Sequence, residues 1–148
     1  MERILLAVDG SDHAQRAARV AGELSSGLGA SVDVINVVPE RRMMPGDAMV
    51  ERGSLEHVYV NEREILRGAG RQVVDQAARI VRDAGGTVGD AAVLVGDAAH
   101  RIAEQAKASN VDCIVLGRRG LGDVGGLFMG SVSHKVGNLT DTTLVTTG

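Results

Sequence analysis

Close to the N-terminus the chain reads Ile4-Leu5-Leu6-Ala7-Val8-Asp9-Gly10-Ser11. Five uninterrupted apolar residues are typical of a strand that is buried on both faces of a parallel sheet. Ser11 is placed to cap a helix that Gly29 ends, because small apolar residues recur between them at helical spacing. A second apolar run follows at residues 32–38. This unit predicts two parallel strands joined by a helical crossover. The helical stripe consists of Ala14, Ala17, Ala18, Ala21, Leu24 and Leu28.

The rest of the chain repeats this alternation. The later apolar runs are residues 91–95, 113–116 and, more weakly, 143–146. A long helical stripe before them ends at Gly85-Gly86, and it consists of Leu66, Ala69, Val73, Ala77, Ile80 and Ala84. Asp97 is placed to cap a third helix, and a last helix begins near Ser131. We therefore predict one doubly wound, Rossmann-like α/β domain over residues 1–148, with five parallel strands and helices on both faces. The irregular residues 39–54 are either a flap over a site or an unordered connection.

Composition excludes several functions. The chain has 148 residues, enough for one core, with 20 glycines, no Trp, one Tyr and one Phe. A net charge of −3 and so few aromatic rings argue against nucleic-acid binding. The first apolar run is too short for a signal peptide or a membrane span, so we expect a cytoplasmic protein without membrane insertion. The single cysteine, Cys113, allows no internal disulfide, and four histidines at no metal-ligand spacing predict solvated positions and no metal site.

A glycine-rich stretch follows the fourth predicted strand. Ligands of doubly wound sheets bind beyond the carboxyl ends of the strands, so this stretch is well placed for binding. Its glycines permit tight turns and close approach of the backbone, and the helix that follows offers free N–H groups to an anion. Arg118 and Arg119 add positive charge. Together these features predict a phosphate cradle, formed by Gly117, Gly120, Gly130, Ser131 and Ser133.

The spacing Gly117-x2-Gly120-x9-Gly130-Ser131 resembles the nucleotide motif of the ATP-binding branch of the universal stress protein family. The opening residues 4–11, Gly96-Asp97 and the end of the fourth strand resemble that family too, so the likeness covers essentially the whole chain. It implies sheet order 3-2-1-4-5 and ATP, with or without Mg²⁺, as the ligand. It implies an adenine and ribose side formed by Ala7, Val8, Asp9, Val37, Leu116 and Gly117. It implies a phosphate side formed by Gly120, Gly130, Ser131, Val132 and Ser133, to which we add Arg119.

Two departures from the family pattern stand out. Both middle positions of the glycine loop are arginine, which either strengthens phosphate contact or points into solvent. The last strand is preceded by Thr142 rather than the Pro that is frequent in the family. Asp9 has two compatible roles, since its carboxylate can accept hydrogen bonds from ribose hydroxyls or help to cap the first helix beside Ser11.

Three functions remain open at this stage. The first is a regulatory protein that binds ATP and presents its bound state to a partner. The second is an enzyme of the same broad fold, such as a nucleotidyl transferase, an ATP pyrophosphatase or a slow ATPase, although no general base stands beside the phosphate loop in sequence. The third is a partner-binding module without a ligand. The intact glycine and serine positions favour the first.

The last strand also predicts self-association. The implied sheet order places residues 142–147 at an edge, and their sequence Thr-Thr-Leu-Val-Thr-Thr is β-prone and uncharged. We expect a homodimer joined through this strand, with antiparallel copies related by a two-fold axis. The alternative is a frayed chain end and a monomer.

Overall fold

A computed structural model describes residues 1–40, 52–121 and 129–148, with the backbone alone for residues 52–62. The described residues form five strands and four helices. In chain order these are β1 Arg3–Ala7, α1 Asp12–Leu28, β2 Ser31–Val38, α2 Arg52–Asp83, β3 Thr87–Val95, α3 Ala98–Ala108, β4 Cys113–Gly117, α4 Ser131–Leu139 and β5 Thr143–Thr147. No helix in these ranges is both long and apolar enough to cross a membrane.

The strands form one parallel sheet in the order β3-β2-β1-β4-β5. This order confirms the predicted fold. The winding direction reverses between β1 and β4, because the chain moves outward from β1 through β2 to β3 and then returns to the other side of β1. The loops that follow β1 and β4 therefore flank one crevice at the carboxyl end of the sheet.

Two aliphatic cores cover the two faces of the sheet. The core on one face joins α1 and α2 to the sheet around Ile4, Leu6 and Val115, all fully buried. The core on the other face joins α3 and α4 to the sheet around Leu5 and Ile114, also fully buried. Adjacent residues of β1 thus belong to opposite cores, which accounts for its uninterrupted apolar sequence.

The predicted helix caps are present. The Ser11 hydroxyl oxygen accepts a hydrogen bond from the Ala14 N–H at 3.1 Å, and Gly29 ends α1 with a left-handed φ of 70°. Asp97 accepts from the His100 N–H at 3.1 Å. The irregular stretch predicted for residues 39–54 ends earlier than expected, because α2 begins at Arg52. Residues 41–51 of the predicted irregular stretch lie outside the described residues.

The third strand begins four residues earlier than its apolar run suggests. Residues 87–90 are mostly exposed because β3 lies at the edge of the sheet, so this half carries no hydrophobic signal. Beside it, the buried Asp33 of β2 accepts a hydrogen bond from the Asp90 N–H at 2.9 Å and one from the Arg3 Nε, also at 2.9 Å. The β2–β3 register shifts at this point, between Val32 and Val34. An ion pair between the buried Asp33 and the half-exposed Arg3 therefore connects β1 and β2 near the amino end of the sheet.

The two helices on one face cross in close contact. A Cβ built on Gly22 of α1 would lie 2.6 Å from the Val81 carbonyl oxygen and 2.7 Å from the Ala84 Cβ. A Cβ on Gly86 would lie 2.8 Å from the Gly22 Cα. Glycine is needed at both positions so that the backbones of α1 and of the turn after α2 can touch.

Candidate functional site

The carboxyl ends of β1 and β4 open on a cavity of about 130 Å³ at the reversal of the winding. All twelve residues predicted to bind a nucleotide line this cavity, although they come from four separate parts of the chain. They are Ala7, Val8, Asp9, Val37, Leu116, Gly117, Arg119, Gly120, Gly130, Ser131, Val132 and Ser133. The middle of the predicted glycine loop, residues 122–128, lies outside the described residues.

The cavity has an apolar end that the sequence only partly indicated. The apolar part includes Val37 and Leu116. The cavity as a whole is also lined by six residues that were not predicted as ligand contacts, of which all but Arg118 are apolar: Ala14, Ile35, Ala98, Ile102, Arg118 and Leu121. Ile35 and Ile102 are almost fully buried. Their only signal in the sequence is the apolar periodicity of β2 and α3, which equally describes a core residue. Their position against a cavity follows from the packing of α3 on the sheet.

Another part of the cavity lining is the N-terminus of α4. Gly130 is the N-cap, with an extended φ of −73°, and no side chain caps this helix. A helix leaves its first N–H groups without intrahelical partners, so those of Ser131, Val132 and Ser133 are available to an anion. Gly130 is buried whereas Ser131 and Val132 are exposed. The turn after β4 and the start of α4, which were predicted to form the phosphate side, thus both line the cavity.

The Ser133 hydroxyl is engaged within the protein. It was expected to be an extra donor to phosphate, yet it is buried and donates to the Arg118 carbonyl at 2.8 Å or to the Gly130 carbonyl at 3.1 Å. A hydroxyl has one proton, so these carbonyls compete with any ligand for it. Ser133 therefore joins the two ends of the glycine loop. Ser131 keeps an exposed side chain.

Asp9 connects the two loops that flank the crevice. Its Oδ1 accepts a hydrogen bond from the Ser11 N–H at 2.9 Å, in line with the role beside Ser11 that the sequence suggested. Its Oδ2 accepts from the Leu121 N–H at 3.0 Å, across 112 residues of chain. The second bond has no signal in the sequence. The carboxylate therefore fixes the start of α1 and the end of the Gly117–Gly120 turn relative to each other.

Gly117 serves packing as well as access to the cavity. A Cβ on Gly117 would lie 2.8 Å from the His13 Cβ and 3.0 Å from the Arg119 carbonyl oxygen. The sequence suggested only approach to a ligand, whereas here the turn is pressed against the first turn of α1. His13 is half-buried, and its Nδ1 lies 3.3 Å from the Thr147 carbonyl oxygen. The expectation of a solvated face is wrong for His13.

Positive charge dominates the lining among the described residues. Arg118 and Arg119 are half-buried, and the Nε of each is shielded from solvent with no hydrogen-bond partner in the described part of the chain. Asp9 is the single carboxylate among the described lining residues. Within the described ranges, no group of three His, Cys, Asp or Glu side chains is placed to hold a metal ion. The cavity thus suits an anionic ligand with an apolar part.

The sheet order and the crevice define a doubly wound α/β domain with a site at the switch point of its winding. A family model described as "Universal stress protein family" matches residues 1–146. A universal stress protein of Thermus aquaticus is 35% identical over 136 residues, which cover 90% of this chain and 88% of that protein. The chain belongs to the universal stress protein family.

Solved structures support the fold. The universal stress protein UspA from Lactobacillus plantarum superposes with a TM-score of 0.83 at 21% identity, over 99% of this chain and 97% of the other. A universal stress protein from Archaeoglobus fulgidus, solved in complex with dAMP, gives a TM-score of 0.66 at 20% identity, over 100% of this chain and 98% of the other. At these identities the likeness concerns the fold.

Proposed function

We propose that this chain is a regulatory protein that binds ATP in the cavity between β1 and β4. One observation carries the proposal: a single cavity joins an apolar end to an uncapped helix N-terminus flanked by two arginines. Those two ends suit the two chemically different parts of an adenine nucleotide. The A. fulgidus relative in complex with dAMP supports an adenine nucleotide as the ligand class.

The roles of the lining residues follow from their chemistry. Ile35, Val37 and Ile102 provide aliphatic walls for the base, since no aromatic residue is among the described lining. Asp9 accepts hydrogen bonds from ribose hydroxyls through its remaining lone pairs. Ala7, Val8, Leu116 and Gly117 complete this side in the proposed arrangement.

The phosphates take the other end. The N–H groups at the start of α4 donate to phosphate oxygens, helped by the positive end of the helix dipole. Gly120 and Gly130 allow close approach, and Arg119 adds charge-assisted hydrogen bonds. Two guanidinium groups beside one helix N-terminus supply the positive charge that phosphate groups need. The choice of ATP among adenine nucleotides rests on the spacing Gly117-x2-Gly120-x9-Gly130-Ser131, which resembles that of the ATP-binding branch of the family. A Mg²⁺ ion would be bound through the phosphates, where its chemistry is to neutralise their charge.

The proposed role is binding with at most slow hydrolysis. Asp9 is the one carboxylate of the described lining, and in the proposed arrangement it faces the ribose rather than the phosphates, so no general base is placed beside the phosphates among the described lining residues. Fixed positive charge stabilises bound ATP as well as a transition state, so charge alone gives little rate enhancement. The bound state would be read by a partner protein.

We further propose a homodimer joined through β5 and a cytoplasmic location. β5 is an edge strand of the described sheet, and its residues carry no charge to discourage pairing. A chain whose one thiol is buried is suited to a reducing compartment.

Substitution of Gly130 by valine tests the ATP site. The backbone at φ −73° and ψ 166° accepts valine, so the fold should persist, but the side chain would occupy the space of the phosphates. We expect ATP affinity, measured by calorimetric titration, to fall about 100-fold or more, equivalent to roughly 3 kcal/mol.

Gly27→Val is the matched control, because a Cβ at Gly27 has no neighbour within 4 Å and lies outside the lining. Nucleotide extracted from freshly purified wild-type protein identifies the resident ligand by chromatography. Equal affinity of the Gly130→Val variant and the wild type would contradict the proposed site.

A further inference from the structure

The end of β5 does not line the cavity, but it is hydrogen-bonded to the glycine turn that does. Thr147 is the last residue of this strand, is buried, and pairs with Gly117 of β4. Its Oγ1 donates to the His13 carbonyl at 3.0 Å. Its own carbonyl accepts from the Arg118 N–H at 2.7 Å. Thr147 thus joins the first turn of α1 to the glycine loop.

Arg118 carries this connection on to α4. The Arg118 carbonyl accepts a hydrogen bond from the Gly130 N–H at 2.7 Å and one from the Ser133 hydroxyl at 2.8 Å. Arg118 therefore links Thr147, through its N–H, to the N-cap and the third residue of α4, through its carbonyl. The turn is also packed tightly on α1, because even a Cβ on Gly117 would lie 2.8 Å from the His13 Cβ.

We propose that Thr147 is a positioning residue for the anion site at the N-terminus of α4. The inference rests on the proposed function, since it concerns how phosphate is held there. The Thr147 hydroxyl fixes the strand end against α1, the strand end fixes Arg118, and Arg118 fixes Gly130 and Ser133. Hydrogen bonds to phosphate depend steeply on the direction of the N–H groups, whereas apolar contacts with a base do not. Loss of the hydroxyl should therefore weaken phosphate binding and leave base binding intact.

Thr147→Val removes the hydroxyl and keeps the branched shape and the strand backbone. By calorimetric titration we expect ATP affinity to fall about fivefold, the equivalent of one ordinary hydrogen bond, with adenosine affinity unchanged. Thr147→Ser should restore ATP affinity because it restores the donor. Thr143→Val is the matched control, since it makes the same change at the exposed first residue of β5. Equal weakening of ATP and adenosine, or no rescue by serine, would assign Thr147 a merely structural role.

Amide hydrogen exchange provides a test without nucleotide. The Arg118 and Gly130 amides should exchange faster in the Thr147→Val variant than in the Thr143→Val variant, because their acceptors are the groups that Thr147 holds. Unchanged exchange at both amides would overturn the inference. Failure of the wild-type protein to bind any adenine nucleotide would instead contradict the proposed function, so the two failures are distinguishable.

Discussion

Cys113 begins β4 at the amino end of the sheet and is fully buried. Burial raises the pKa of its thiol above the ordinary value of 9.0, and the neighbouring charge of Asp112 raises it further. A buried thiol in this setting is a packing residue rather than a nucleophile. Its distance in the fold from the cavity, at the opposite end of β4, fits that role.

The Cys113 pKa leads to a prediction about stability in alkaline solution. The folded state keeps the thiol protonated where the unfolded chain ionises it, so the contribution of Cys113 is complete below pH 9 and is lost as the pH rises through the folded-state pKa. We expect urea denaturation to show a larger loss of stability between pH 8 and pH 10 in the wild type than in Cys113→Ala. An equal loss of stability in both proteins would contradict this role of the Cys113 thiol.

Sequence reasoning found the residues of the site better than their roles. The glycine and serine positions were identified from their spacing, and all of them line the cavity. The hydroxyl of Ser133 and the missing side chain of Gly117 nonetheless serve contacts within the protein, to Arg118 and His13. Those partners are distant in sequence, so only the folded arrangement of α1, β4 and β5 brings them together.

At the scale of elements, the crossing of α1 and α2 is the tightest contact to test. Gly22→Ala would place a Cβ 2.6 Å from the Val81 carbonyl oxygen and 2.7 Å from the Ala84 Cβ. The two helices would have to move apart to accommodate it. Overpacking of this kind costs about 1–3 kcal/mol, more than the gain of up to about 1 kcal/mol from replacing a helical glycine. We expect a net loss of stability in urea denaturation.

Gly27→Ala makes the same change on the same helix where a Cβ has no neighbour within 4 Å. This variant should gain about 0.5–1 kcal/mol from helix propensity alone. If the Gly22 variant gained stability as the Gly27 variant does, the close crossing would not exist in solution.

Apolar runs located the central strands well because those strands are buried on both faces. β1 and β4 match their predicted runs within one residue at either end. β3 does not, since its first half is exposed at the edge and is fixed by the buried carboxylate of Asp33. A partner of that kind leaves no periodic signal. The same holds for Asp9 and Leu121, whose hydrogen bond joins loops from two distant strands.

For the whole molecule, the proposed dimer needs a variant that spares the core. Leu144 packs on the core beneath α3 and α4, and Val145 on the core beneath α1 and α2, so a lysine at either position would damage the fold itself. Thr147 directs its carbonyl toward Arg118 of the adjacent loop. Because the N–H and C=O of one strand residue point to the same side and adjacent residues alternate, the N–H and the carbonyl of Thr146 point away from β4, toward the open edge.

Thr146→Pro removes the outward N–H while φ stays compatible with a strand. Light scattering should give the wild type about twice the 15.4 kDa of one chain and this variant the mass of one chain. Thr146→Val keeps the N–H and should remain a dimer. A monomeric wild type at micromolar concentration would contradict the dimer, and a dimeric proline variant would place the contact on another surface.

The two borders of the sheet differ in a way that limits how far such pairing can extend. A β5-to-β5 pair leaves a β3 strand at each outer end of the joined sheet. There the Asp90 side chain is 89% exposed and the ladder with β2 is irregular at Val32 and Val34, both of which discourage a further strand. The proposed dimer would therefore be self-limiting, because pairing uses up both β5 edges and the β3 edges of the described sheet would resist the addition of further copies.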